Sequence, residues 1–476
     1  MKRVTAATLL FGASAVVLML EILAGRLMAP YVGVSQETFT GIIGTMLAGI
    51  ALGAAAGGSL ADRRDPRTLI GPTLVLGGAL AWASLPILRV LGPRMGTGAP
   101  AIVFLTAAAF LAPAAVLSAV APMVAKLQME SLDESGAVVG RVSAAGTFGA
   151  LAGTFVTGFV LVAALPTQWV VLLIGAGTIG AGLVLVVRHR SAAKDDALAA
   201  IAVVLVSGAG AFSLAPPCER ETAYACVRVE TDPQRTSGRS LILDRTRHAY
   251  VDLEDPKHLE LRYARLLASV IDGSTVGPLD VAHLGGGGFT LPSYLRATRP
   301  ESKSVVLEID PVLVEVAREQ LGFSDEAIDV IVGDARLSLD RLPANGFDVV
   351  IGDAFAGSSV PWHLTTIETI RQIDRLLRPG GIYVMNVIDG GRNRYAHAQL
   401  ATLAEQFRYV AAIVPPGGVP DQRVNQILVG SNEPIGDLQF DPADGMRMTE
   451  SDLDRVIDGA RVLTDSFAPV DQLAKR

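Results

Sequence analysis

Between residues 281 and 391, glycines and acids recur at the ends of short apolar runs. Residues 281–284 lead into Gly285, Gly286, Gly287 and Gly288; residues 304–307 end at Glu308, with Asp310 two positions on; residues 328–332 lead into Gly333, Asp334 and Ala335; residues 347–351 lead into Gly352 and Asp353. This order suits a bound nucleoside. Glycines after a first strand let the backbone approach a ligand where a side chain would collide. A carboxylate closing the second strand can accept two hydrogen bonds from ribose hydroxyls, which places Glu308, with Asp310 on the same face. An acid after the third strand can accept from an adenine amino group, which places Asp334 beside Ala335. Each feature alone also has a bland explanation, a tight turn for the glycines and a helix cap for each Asp; their shared order gives them weight.

Apolar runs alternating with helical stretches must position these residues. Helices are expected over 256–271, 291–297, 311–321 and 367–377, with a fifth strand at 382–386 after Pro379, Gly380 and Gly381. This is a doubly wound α/β sheet with its polar residues at the carboxyl ends of strands. Two β-like segments, 225–230 and 240–244, precede it.

The first half of the chain has another character. The 476 residues are 50% hydrophobic with only 5% aromatics and a mean hydropathy of +0.42, too apolar for an ordinary soluble enzyme. Apolar runs near 6–23, 39–60, 69–91, 101–125, 142–165, 169–187 and 197–214 are each long enough to cross a bilayer, giving seven expected spans. Small residues dominate 144–158, a composition that allows close helix packing. The expected domains are a transmembrane region, 1–215; a small β-rich subdomain with a linking helix, 216–275; and a nucleoside-binding domain, 276–476.

Charge divides the halves. Residues 1–210 carry 13 Lys+Arg against 9 Asp+Glu, and residues 211–476 carry 27 against 38. The acidic second half disfavours nucleic acid and is compatible with a cationic small substrate. Lys2 and Arg3; Arg63, Arg64 and Arg67; Lys126 and Arg141; and Arg188, Arg190 and Lys194 fall on one side of a seven-span arrangement, so the N-terminus is expected in the cytoplasm. An odd number of spans puts the large domain outside. Cys218 and Cys226 are close enough to bridge there; the alternative is two free thiols. Glu21 and Arg26 read either as a functional membrane pair or as an interfacial pair with Arg26 snorkelling.

The stretch from Gly285 to Val384, with Val306-Leu307-Glu308-Ile309-Asp310, Val332-Gly333-Asp334-Ala335 and Phe347-Asp348-Val349-Val350-Ile351-Gly352-Asp353, resembles the spermidine synthases, polyamine aminopropyltransferases of methyltransferase-type Rossmann fold. Leu241-Ile242-Leu243-Asp244 is similar to the end of that family's small N-terminal β-domain. The membrane half, including Gly58-Ser59-Leu60-Ala61-Asp62-Arg63-Arg64, resembles the major-facilitator-like part of fused membrane spermidine-synthase-like proteins.

The resemblance implies that Gly285, Gly286, Gly287, Glu308, Asp310, Asp334 and Ala335 hold decarboxylated S-adenosylmethionine as a co-substrate. It implies that Asp353 deprotonates or orients the attacking amine, an acceptor such as putrescine, while the sulfonium leaves without help from a metal. His248, Tyr263 and His363 stand where the family recognises substrate, although His363 and Trp362 also read as loop anchors. No cofactor is expected to be bound permanently. A small amine and membrane lipid are the expected partners, with a homodimer left open.

The chain departs from the family's pattern at Gly288 and Ala356, where acids are usual, and at His248, where a glutamine is usual; Glu260 and Tyr263 match only loosely. These departures motivate two further readings, an S-adenosylmethionine-dependent methyltransferase and a non-catalytic nucleoside or polyamine transporter or sensor. The family's donor is a cytosolic metabolite, which stands against an external location for the domain.

Overall fold

The computed structural model describes residues 3–96, 98–129, 135–189, 194–324, 327–355, 360–436 and 438–474, with side chains of 189 and 194–201 left aside. Ala356, Ser358, Ser359 and Arg190 therefore lie outside the described residues, as do Lys2 and the Lys194 side chain. The chain divides into two compact units, Met1–Cys226 and Val227–Arg476.

The first unit is helical. Six helices are long and apolar enough to cross a membrane: α1 (Arg3–Val32), α2 (Gln36–Arg63), α3 (Pro66–Arg94), α4 (Ala99–Gln128), α5 (Ser135–Ala164) and α6 (Thr167–Arg188). The stretch expected as a seventh span forms helix α7 (Lys194–Ser213), but its described apolar part, Ala202–Ser213, is shorter than the other six and does not reach their spanning length. Small residues do bring helices together: a Cβ on Gly153 of α5 would stand 2.5 Å from the carbonyl oxygen of Ala15 in α1.

Arginines fix where α7 ends. Arg89, near the end of α3, donates through Nη1 to the carbonyls of Ala211 (2.8 Å) and Leu214 (2.6 Å), and through Nη2 to Gln168 Oε1 (2.7 Å) at the start of α6. Arg26 in α1 takes its carboxylate from Glu221 at 3.0 Å rather than from Glu21, and also donates to Thr167 Oγ1 and the Thr222 carbonyl. Thus α7 finishes beside the later part of α1, the end of α3 and the beginning of α6. Its 20 residues correspond to a rise of about 30 Å. Cys218 and Cys226 form a disulfide just beyond it.

The second unit opens with an antiparallel meander, β1 (Cys226–Thr231), β2 (Gly238–Leu243) and β3 (Thr246–Asp252). Helix α8 (Arg262–Ser274) follows. It begins later than the expected 256, because residues 255–258 form a turn closed by a His258 N–H to Asp255 carbonyl bond. The main sheet then alternates with helices: β4 (Asp280–Leu284), α9 (Thr290–Thr298), β5 (Lys303–Glu308), α10 (Pro311–Gln320), β6 (Ile328–Val332), α11 (Ala335–Leu339), β7 (Phe347–Gly352), α12 (Ile367–Leu376), β8 (Leu377–Asp389), α13 (Arg394–Gln406), β9 (Tyr409–Val414) and β10 (Val424–Ser431). With the short strand Met446–Arg447 at its edge, the order is 446–447, β9, β10, β8, β7, β4, β5, β6. Strands β8, β7, β4, β5 and β6 are parallel neighbours, and β9 and β10 add an antiparallel flank.

Both faces of this sheet are covered, so its strands read as near-continuous apolar runs. Ala282, Leu284 and Val350 pack with α12 and α13 on one face, whereas Val281, Val349 and Ile351 pack with α8 on the other, following the two-residue period of a strand. The α/β fold is as the sequence indicates.

Candidate active site

At the carboxyl end of β4 the chain turns through Gly285, whose φ of +97° suits glycine. A Cβ there would also come within 2.6 Å of the Asp353 carbonyl oxygen, so the turn after β4 and the end of β7 lie against each other. Gly287 is left-handed too, and the N–H groups of Gly286 and Gly287 point at Glu308 Oε2, at 2.8 and 3.4 Å. The other oxygen of Glu308 accepts from the Asp310 N–H at 2.9 Å. Burial holds the Glu308 carboxyl above its usual range, and these three backbone donors oppose that shift. The carboxylate expected at the ribose thus shapes the glycine turn before any ligand arrives.

Asp310 is buried, and its Oδ1 accepts from the Val312 and Leu313 N–H groups at the start of α10. It is a helix cap rather than a second carboxylate open to a ligand. Asp334 caps α11 by accepting from Leu337 N–H (3.1 Å), while its second oxygen meets His363 Nε2 at 3.0 Å. His363 is anchored through its own carbonyl, which accepts from Arg336 and Thr369, and its ring meets Trp362 edge-on. Ala335 is buried beside Asp334. His363 therefore belongs with Asp334, at the end of β6.

Asp353 stands at the centre of a different grouping. It lines a cavity of about 330 Å³ together with Gly285, Gly286, Gly287, His248 and Tyr263. Burial raises the Asp353 carboxyl to about 7, against an opposing hydrogen bond of 2.8 Å from Asn386 Nδ2. Asn386 in turn accepts from Asn425 Nδ2 at 3.0 Å. The Tyr263 hydroxyl donates to the His248 carbonyl at 2.9 Å, and the buried His248 Nε2 has no hydrogen-bond partner among the described residues. Burial lowers the His248 imidazole to about 4, so the ring is neutral near pH 7. The structure thus brings together Asp353, His248, Tyr263 and the glycine turn, and leaves Asp334, Ala335 and His363 as a second cluster outside the cavity lining.

Sequence reasoning missed Asn386, Asn425 and Arg262. Asn386 carried a signal, a polar residue closing the apolar run 382–386. Asn425 and Arg262 are joined to it only by the antiparallel pairing of β8 with β10 and by α8, since Arg262 Nη2 donates to the Asn425 carbonyl at 2.6 Å.

Residues 280–385 match the family model described as Methyltransferase domain. The chain is similar to the polyamine aminopropyltransferase of Vibrio vulnificus, at 29% identity over 244 residues covering 47% of this chain and 79% of the relative. It is also similar to the polyamine aminopropyltransferase of Aeropyrum pernix, at 33% identity over 155 residues covering 30% of this chain and about half (48%) of the relative. Among solved structures, a probable spermidine synthase from Corynebacterium glutamicum aligns at 28% identity with a TM-score of 0.49, covering 53% of this chain and 97% of that one. The second unit has the Rossmann-like methyltransferase fold and is similar in sequence to polyamine aminopropyltransferases. The chain is a transferase.

Proposed function

We propose that this chain is a membrane-bound transferase that moves an aminopropyl group from a nucleoside sulfonium, decarboxylated S-adenosylmethionine, to an amine. The observation that carries this reading is the Asp353 carboxyl, raised to about 7 and held by Asn386 beside the glycine turn. An alkylammonium acceptor cannot attack until it loses a proton. A carboxylate titrating near neutrality can take that proton and still hold the amine in line. The amine nitrogen then bonds to the methylene next to sulfur, the carbon–sulfur bond breaks, its electron pair stays on sulfur as a neutral thioether, and Asp353 returns the proton to water. Gly286, Gly287 and Glu308 supply the ribose end of the donor site, and Asp334 with His363 the adenine end.

In this reading kcat/KM rises with pH through about 7, because the protonated carboxyl is the inactive form and deprotonation creates the base. A profile flat between pH 6 and 8 in the chemical step contradicts it.

Gly288 favours a second reading, alkyl or methyl transfer from S-adenosylmethionine itself. A Cβ at Gly288 would lie 2.7 Å from the Ala249 Cβ, so an acid that would hold the decarboxylated donor's ammonium is absent and has no room. Sidedness belongs to the proposal too: with α7 ending beside Arg89 and Arg26, the chain leaves the helical unit at the end away from Arg3.

A further inference from the structure

We infer that the Asp353 cavity recognises a ligand bearing a carboxylate, not a polycation. The inference rests on the transfer reading above and names the substrate class of that same site.

Three residues of formally charged type line the cavity among the described residues: Arg247, Arg262 and Asp353. The two histidines of the lining, His248 and His283, are both buried in a way that disfavours their charged forms. Two arginines therefore line the cavity with one carboxyl, whose burial favours its neutral form. A diamine carrying two positive charges meets a wall of its own sign.

Neighbouring acids do not reverse this balance, because each is committed elsewhere. Glu308 accepts from three backbone N–H groups under the glycine turn. Asp310 caps α10, and Asp334 is shared between α11 and His363. Asp444, the acid closest to Arg262 in charge coupling, is held at both oxygens by Arg265, at 2.6 and 2.8 Å.

Arg262 itself donates only to uncharged acceptors, the carbonyls of Asp444 (2.7 Å) and Asn425 (2.6 Å). Those bonds orient the guanidinium without pairing it to a carboxylate of its own; the acid it couples to, Asp444, is shared with Arg265. The same bonds join it to the base, since Asn425 donates to Asn386 and Asn386 to Asp353. Arg247 lies 4.8 Å over the Tyr250 ring and couples in charge to Asp232, whose oxygens already accept from the Tyr250 hydroxyl and the Gln234 N–H. A planar guanidinium is well suited to a carboxylate.

The carboxylate has two sources, the α-carboxylate of S-adenosylmethionine or an acid group on the acceptor. Full-length protein is given each of two donors, S-adenosylmethionine and decarboxylated S-adenosylmethionine, with each of two acceptors, 1,4-diaminobutane and 4-aminobutanoate. These acceptors differ only in exchanging one ammonium end for a carboxylate. Products are read by mass and by kcat/KM. At least one carboxylate-bearing partner is expected to be preferred tenfold or more over its counterpart, and whichever variable carries the preference identifies the source.

Arg262→Gln is expected to bring that preference close to unity, mainly through KM, and Arg262→Lys to retain part of it. Because Arg262 also ties two backbone segments together, the exposed Arg247→Gln provides a second variant that keeps the fold, with an expected severalfold loss of the same preference. Highest efficiency with decarboxylated donor and diamine overturns the inference while leaving the transfer reading intact. No thioether nucleoside from any of the four pairs overturns both.

Discussion

Each polar residue at the site does more than one job, and the hydrogen bonds tell which job binds it most firmly. Glu308 is read from the sequence as a ribose ligand, yet in the fold it is first the acceptor that organises the Gly286 and Gly287 N–H groups. Glu308→Gln places an amide N–H2 against one of the backbone donors that now meet oxygen. Losing a charged hydrogen bond of ~1.5–3 kcal/mol is expected to weaken donor binding about tenfold or more, measurable by isothermal titration with the sulfonium donor. Unchanged affinity would show that Glu308 neither shapes the turn nor meets the donor. Asp310 and Asp334 show the limit of reading acids singly. Both are at strand ends as expected, but Asp310 is occupied by capping, whereas Asp334 keeps one oxygen for His363. Sequence order located these residues; which of their oxygens remains free depends on the backbone around them.

At the scale of elements, the turn between β4 and α9 governs what the cavity can hold. A Cβ on Gly288 would meet Ala249 and Val251 of β3, so the small sheet limits what the donor turn can carry. Gly288→Asp, which supplies the acid usual in the spermidine synthases, is expected to lower stability by ~1–3 kcal/mol through overpacking rather than to create a better site. The drop is read as a lower melting temperature, and Ala249→Gly in the same chain is expected to recover part of it by removing the Cβ at 2.7 Å. A Gly288→Asp protein as stable as the parent contradicts this account. The alternation 281–284, 304–307, 328–332 and 347–351 was legible because each strand is mostly apolar, with a single polar residue, and closes on glycine or an acid. The strands β3, β9 and β10 were not read as elements, although β10 carries Asn425 into the site. For β10 the partner is β8, on the far side of α13 and β9, and local pattern carries no register; β3 instead pairs with its immediate neighbour β2.

Over the whole molecule, helix length and polar anchoring give different information about the membrane. By length and composition six helices qualify, whereas the sequence suggests seven spans. Arg89 holds the end of α7 and Arg26 holds Glu221; in the topology we propose, seven crossings put Cys218 and Cys226 on the side opposite Arg3. In sealed vesicles of known orientation, the pair is then expected to be oxidised, and after reduction to be alkylated by an impermeant maleimide only from the non-cytoplasmic face. Labelling only from the cytoplasmic face contradicts a seventh crossing. Sidedness also bears on the chemistry, because a donor made in the cytoplasm must cross the membrane to reach an external site.

In the proposed transfer, Asp353 serves the cleavage of a sulfonium by an incoming nucleophile. The most direct measurement is mass spectrometry of full-length protein incubated with sulfonium donor and amine acceptor, comparing the parent with Asp353→Asn, a substitution that preserves the oxygen facing Asn386. A thioether nucleoside is expected to form in step with alkylated acceptor in the parent, and at least about a hundredfold more slowly in the variant, as removal of a general base requires. Equal rates from the two proteins, or a parent that binds donor and never forms the thioether, would contradict the proposed role of Asp353.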